Sequence, residues 1–490
     1  MSLIQDSIAT MGDPNTQTVS GLPSSINFSH SFKDWWNSSS SLQRPTEKTV
    51  ELEQFVTSRS KNAAIEFRLF RAILSSQIYL VDPLEPELSD ISDTSDHRIV
   101  GRFLDTDLST EDQKMFIHEF EISNKSNPEL PQRHIVIIHG YMAALGYFVK
   151  NFEPLVKLYG NLVVHAIDMP GFGNSARPLF PKELIKLPKN ATLRDEIKQI
   201  MGVENWFIDT FEQWRIKKGI DKFVLVAHSM GAYLSSCYLL KYNKQNDGSQ
   251  LVDKFVLVSP MGTESSDVSL INHKDLQFNH HESGGDPFQE IFTNQDFKPF
   301  EVEHEDLNTL WEKLGKPKFP KNTVLRKLWE WNVLPFQVLQ YLGPMYLKIL
   351  SLWSFQRFKN LKANNSEDGP QSNTDLILKL HEYSFSIFNQ YQGSGELAIT
   401  KLINHEILAR LPLCDRGLEK FLTENNISTL WMYGDKDWMN MKGGEYCVEK
   451  LKQLGDKNSS LVIAKDAGHH IYLDNPDEFN KMLIDFIDFH

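Results

Sequence analysis

The sequence predicts an α/β protein, a mostly parallel sheet covered by helices and carrying an inserted helical cap. Three observations predict it. Short runs rich in Val, Ile and Leu alternate with helical segments, the pattern of strands buried on both faces. One of these runs leads straight into a serine and then into a helical pattern, Ala227-His228-Ser229-Met230-Gly231. An interruption over residues 263–410 is rich in aromatic and aliphatic residues, so it reads as an inserted subdomain rather than a loop.

Composition narrows the classes of function. The chain has 490 residues with 41% hydrophobic and 23% charged content, which is globular. Its net charge of −13 argues against a nucleic-acid partner. Three scattered cysteines form neither a disulfide framework nor a zinc pattern, so a reducing, intracellular setting is expected rather than secretion. No run of 18 apolar residues predicts a membrane span, and no cofactor or metal is expected. Oligomeric state leaves no mark on the sequence.

Residues 1–48 read as a tail, disordered or in contact with a membrane through Trp35-Trp36. The first 43 residues contain one Lys, no Arg and three Asp, which fits a mitochondrial presequence poorly. The C-terminus carries no prenylation, ER-retention or peroxisomal motif. From about residue 50 a helical period begins, followed by a strand-like stretch at 115–122. Strands are then expected at 134–138, 162–167, 223–227, 255–259, 427–433 and 461–464. The core is thus predicted in two parts, 49–262 and 411–490, split by the cap at 263–410, which should sit over the crevice at the strands' C-terminal ends.

The chemistry is expected at those ends. Ser229 lies on a strand–turn–helix elbow, which would strain it and expose its hydroxyl as a nucleophile. Ala227 replaces the first glycine of the usual G-x-S-x-G pattern. His139-Gly140-Tyr141 ends an earlier strand. The backbone N–H groups of Tyr141 and Met230 are the expected oxyanion donors, and His139 is expected to support the loop. Asp168-Met169-Pro170-Gly171-Phe172-Gly173 reads as a tight turn. Later strands end in Asp435-Lys436-Asp437 and Gly468-His469-His470. The order Ser, Asp, His suits a charge-relay triad. Asp437 is favoured over Asp435 as the acid and His469 over His470 as the base, with both choices open. His469 and Asp474 also satisfy an H-x4-D spacing, which a glycerolipid acyltransferase would use, although a helix cap explains Asp474 as well.

The cap suggests a substrate. Residues 324–362 hold six Lys and Arg against one Glu, together with eight aromatics. Trp329, Trp331, Lys348, Trp353, Arg357 and Lys359 are the candidate contacts with an anionic membrane surface or lipid substrate.

With these motifs in view, the chain resembles the α/β-hydrolase-fold lipases (AB hydrolase-1, peptidase S33-like). The branch it resembles holds the fungal cardiolipin-specific deacylases, the animal N-acylphosphatidylethanolamine lipase and a related lipolysis co-activator. The pieces that narrow it to this branch are Gly393-Ser394-Gly395-Glu396 and Gly468-His469-His470-Ile471-Tyr472-Leu473-Asp474. The resemblance implies removal of an acyl chain from a glycerophospholipid, cardiolipin first, by a serine carboxylic-ester hydrolase. It implies a peripheral place on the mitochondrial inner membrane, with the cytosol as the alternative. Some members of the branch are described as lysophosphatidic acid acyltransferases using acyl-CoA. One lacks the nucleophile, so a non-catalytic regulator of lipid metabolism is a third expectation.

Overall fold

The computed structural model describes residues 49–84, 98–111, 113–243, 248–266, 268–271, 342–358, 373–390, 393–404 and 407–489, with isolated positions elsewhere. Among the described residues, nine strands form one sheet. They are β1 (Tyr79–Leu80), β2 (Ile99–Asp107), β3 (Phe116–Asn124), β4 (Arg133–Ile138), β5 (Leu162–Ile167), β6 (Val224–His228), β7 (Lys254–Val258), β8 (Ser428–Gly434) and β9 (Ser460–Ala464). Their spatial order is β1-β2-β3-β5-β4-β6-β7-β8-β9. Within this sheet, among the described residues, only the β2–β3 and β3–β5 pairings are antiparallel.

The central strands are buried on both faces, which is why they read as continuous apolar runs. Alternate residues feed two cores. Val136, Leu225, Leu257 and Trp431 point to one side, with the helices α2 (Leu193–Lys218) and α3 (Met230–Tyr242). Ile137, Val226, Val256 and Met432 point to the other. That second core takes α1 (Thr49–Ile73), α4 (Pro344–Phe358), α5 (Asn373–Phe388) and the C-terminal α7 (Pro476–Ile487). The helix α6 (Met441–Gln453) closes the first core through Cys447, Val448 and Leu451. All three cysteines are free and buried.

Helix α2 starts where the sequence provides a reciprocal cap. Thr192 and Asp195 satisfy each other's backbone N–H groups, and Gly219 ends the helix in the left-handed region. This fixes a 26-residue helix against the back of the nucleophile helix α3.

The cap differs in part from expectation. Its described helices sit mainly beside the crevice, with Phe388 and Glu396 reaching its wall. They pack onto α1 and onto the segment that follows β4: the Tyr383 hydroxyl accepts from Gly146 N at 3.0 Å and Tyr147 meets Ser384 at 2.8 Å. A Cβ on Gly146 would stand 2.4 Å from the Tyr383 ring, so glycine is required for this approach. No helix among the described residues is long and apolar enough to cross a membrane. The tail expected at 1–48, with Trp35-Trp36, lies almost wholly outside the described residues.

Candidate active site

Every predicted triad residue stands at the C-terminal end of a strand or just beyond it. Ser229 follows β6 directly and has φ 53° and ψ −119°, a strained conformation that aims the side chain away from the helix it precedes. Close packing around it explains the small residues. A Cβ on Gly231 would lie 2.3 Å from the His139 carbonyl oxygen, and one on Gly140 would lie 2.9 Å from Ser229 Cβ. Ala227 is fully buried within β6, so its methyl is accommodated inside the strand rather than at the turn.

His469 Nε2 lies 3.0 Å from Ser229 Oγ, and His469 Nδ1 lies 3.1 Å from Asp437 Oδ1. The geometry therefore joins Ser229, His469 and Asp437 in one chain and separates the alternatives. Asp435 is turned outward and accepts Ala467 N at 3.0 Å. The His470 ring packs against His228, Tyr147 and Tyr472 instead of the serine. Burial and the charge of nearby Arg357 hold His470 neutral, well below the usual imidazole range.

Four supports escaped the sequence reading. Ser259, just past β7, donates to Asp437 Oδ2 at 2.5 Å, and Met439 N donates to Asp437 Oδ1 at 2.9 Å. His228 Nε2 bonds the His469 carbonyl oxygen at 2.9 Å and so fixes the backbone of the base. Burial keeps His228 neutral, aided by the adjacent His469, which makes its Nε2 the donor. Trp438 stacks obliquely on His469 with ring centroids 4.5 Å apart. None of the four positions carried a spacing signal.

Met230 begins α3, so its N–H has no acceptor within the helix. Tyr141 N likewise has no acceptor among the described residues. His139 supports this loop as expected: its Nε2 accepts from Met169 N at 3.0 Å and its Nδ1 donates to the Gly140 carbonyl at 2.7 Å. Burial pushes its pKa down to about 4, so the ring is neutral. The turn at 168–173 is likewise structural, because the Asp168 carboxylate accepts Leu145 N and Asn174 N at 2.8 and 2.7 Å.

A small open cleft lies beside the expected oxyanion donor. Tyr141, Phe172, Arg177, Phe388 and Glu396 are among its walls. The 393–396 segment shapes it. A Cβ on Gly395 would stand 2.1 Å from the Pro170 carbonyl oxygen, while the Glu396 carboxylate accepts from Gly393 N and Ser394 N.

Of the cap residues, Trp331 is 70% exposed and Lys348 is half-buried. Trp353 departs from the expected membrane contact. It is 8% exposed and packs edge-on against Phe358 and Phe388, because its indole completes the second core. Arg357 also turns inward and pairs with Asp474. Trp329 and Lys359 lie outside the described residues.

Two groups among the described residues have ligand atoms close enough for a metal, Glu66-His118-Asp168 and Glu119-Glu121-His165. Their ligand atoms are engaged inside the protein. His118 bonds Glu66 at 2.7 Å and Asp105 at 2.8 Å, and Lys218 holds Glu119 at 2.7 Å.

The serine elbow, the strand order and the Ser-Asp-His sequence at the strand ends define the α/β-hydrolase fold. The family described as the alpha/beta hydrolase fold matches residues 133–285. A probable 1-acylglycerol-3-phosphate O-acyltransferase of Oryza sativa is 24% identical over 76% of this chain and 70% of its own. The protein ECM18 of Saccharomyces cerevisiae is 27% identical over 75% of this chain and 73% of its own. The (lyso)-N-acylphosphatidylethanolamine lipase of Homo sapiens is 24% identical over 75% of this chain and 82% of its own. The resemblance read from the motifs is thus borne out, with relatives named both as lipases and as acyltransferases.

Proposed function

We propose that the protein is a serine acyl hydrolase that removes an acyl chain from a glycerophospholipid, with cardiolipin as the first candidate substrate. The observation that carries this reading is the continuous hydrogen-bonded chain Ser229–His469–Asp437. His469 Nε2 takes the Ser229 proton as Oγ attacks the ester carbonyl. The developing oxyanion is received by Tyr141 N–H and Met230 N–H. His469 then returns the proton to the leaving lysolipid oxygen. Water, deprotonated by the same ring, releases the fatty acid and restores Ser229. Asp437 fixes the tautomer with the proton on Nδ1 and stabilises the imidazolium.

The second reading is acyl transfer, favoured by the names of the rice, Arabidopsis thaliana and yeast relatives, each called a 1-acylglycerol-3-phosphate O-acyltransferase in full or in part. The same acyl-enzyme would then be resolved by a lysophospholipid hydroxyl in place of water, so Ser229 serves both readings. A non-catalytic regulator remains the third. The exposed Trp331 and Lys327 support docking on an anionic bilayer, and the resemblance supports a mitochondrial location.

The test is activity-based. A fluorophosphonate probe should label wild-type protein, and Ser229→Ala should abolish the label. Folded protein that stays unlabelled would overturn catalysis at Ser229. Incubation with cardiolipin, with and without a lysophospholipid acceptor, then separates the outcomes. Free fatty acid marks hydrolysis and a re-acylated acceptor marks transfer.

A further inference from the structure

The spacing His469-x4-Asp474 invites a catalytic pair, but the two side chains do not meet. Both nitrogens of His469 are occupied by Ser229 and Asp437. The short helix Ile471–Asp474 turns Asp474 back onto the start of its own loop. There Oδ2 accepts from Gly468 N at 2.9 Å, and Oδ1 is bound by Arg357 Nη1. Arg357 stands in the last turn of α4, inside the cap, 117 residues away in sequence. The pair is largely buried, with side-chain exposures of 15% and 9%.

We infer that Arg357 and Asp474 are positioning residues that hold the Gly468–His469 backbone in register from the cap. The inference rests on the hydrolase reading for its kinetic consequence. Gly468 immediately precedes the base, and its N–H is fixed only as well as Asp474 is fixed. Asp474 is fixed by a guanidinium whose Nη2 has no hydrogen-bond partner among the described residues, so the Asp474 carboxylate is the anion that compensates this charge. From the other side, His228 bonds the His469 carbonyl oxygen. The base is thus held at the peptide units on either side of the Gly468–His469 bond, one from the nucleophile strand and one from the cap. The H-x4-D pattern then records a clamp. Loss of activity on substituting Asp474 would not by itself reveal an acyltransferase base.

A double-mutant cycle tests this. Arg357→Ala, Asp474→Asn and the double variant are assayed on a soluble nitrophenyl ester and for rate of fluorophosphonate labelling. Exchange of backbone hydrogens in the peptide covering 465–475 is followed in the same proteins. Each single variant should lower kcat by about ten- to a hundredfold with KM little changed, the scale of a slight misplacement of a catalytic group. The double variant should be no worse than the worse single. Arg357→Lys should recover part of the loss. Exchange should rise in 465–475 while the remaining core stays protected. Additive losses, or an Asp474 effect with none from Arg357, would overturn the clamp in favour of an independent role for Asp474. Unchanged exchange in 465–475 would also overturn it, and that readout holds even if the protein turns over no ester. Failure of wild-type labelling sinks the hydrolase reading alone.

Discussion

Ser259 Oγ donates to Asp437 Oδ2 at 2.5 Å, on the carboxylate oxygen opposite the one that faces His469. Ser259 has φ 44°, just past the end of β7, and β7 is hydrogen-bonded to the strand β8 that carries the acid. Neighbouring strands thus supply the acid and its orienting donor. Ser259→Ala removes a hydrogen bond to a charged group, worth roughly 1.5–3 kcal/mol. Turnover of a soluble ester should fall by about tenfold. An unchanged rate would show that Met439 N–H alone suffices.

Gly140 faces the nucleophile elbow at contact distance. A Cβ there would lie 2.6 Å from His228 Nδ1 and 2.9 Å from Ser229 Cβ. Gly140→Ala should therefore displace both the oxyanion loop and the His228 ring that holds His469. Fluorophosphonate labelling should fall by about a hundredfold or more, with far-UV circular dichroism unchanged. Labelling at the wild-type rate would mean that the loop yields without affecting the site.

The helix α5 docks on the segment behind the oxyanion loop through one hydroxyl. Tyr383 accepts from Gly146 N at 3.0 Å and donates to Glu66 Oε1 at 3.2 Å. Tyr383→Phe leaves a buried N–H and a buried carboxylate oxygen short of a partner, at a cost of about 1–3 kcal/mol. A urea midpoint lowered to match, without loss of the native α-helical signal, is the expected result. A midpoint equal to wild type would mean that these groups find other partners.

The legible parts of the sequence are those where one physical requirement dominates. Strands buried on both faces must be apolar throughout, so β4 to β9 could be read within a residue or two at most ends. The elbow was visible because a strained serine between a strand and a helix needs small neighbours. β2 was missed because most of it is half-buried or exposed in antiparallel pairing with β3, and Arg102, Asp105 and Asp107 break the apolar run. Asp437 and His469 were favoured but not separable from Asp435 and His470, since adjacent residues differ only in direction. Ser259 and His228 were invisible, because their roles depend on which strands lie side by side. The inward turn of Trp353 and Arg357 was hidden for a related reason: an aromatic, basic stretch has the same composition whether it faces lipid or core.

Stability should fall as pH rises above neutrality, for a reason located at one buried histidine. Burial alone would lower the pKa of His118, but Glu66 and Asp105 on its two nitrogens outweigh that and raise it to about 10. The unfolded value is about 6.5. A raised folded value means the native state binds the proton more tightly, so this stabilisation is complete below pH 6.5 and is lost as pH climbs through about 10. Asp168, raised to about 7 by burial and the Glu66 charge, titrates in the same direction but mostly at lower pH. Asp105 and Glu119 are held below the carboxylate range despite burial, by His118 and His165 respectively, and act only in acid. The window from pH 7.5 to about 8.5 thus isolates His118 from the carboxylates below it and from the three buried thiols above it, which burial holds protonated in the native state. Urea midpoints should decline across it in wild type, and His118→Gln should start lower and flatten the decline. A midpoint that stays level or rises with pH would show that His118 is neutral in the native protein.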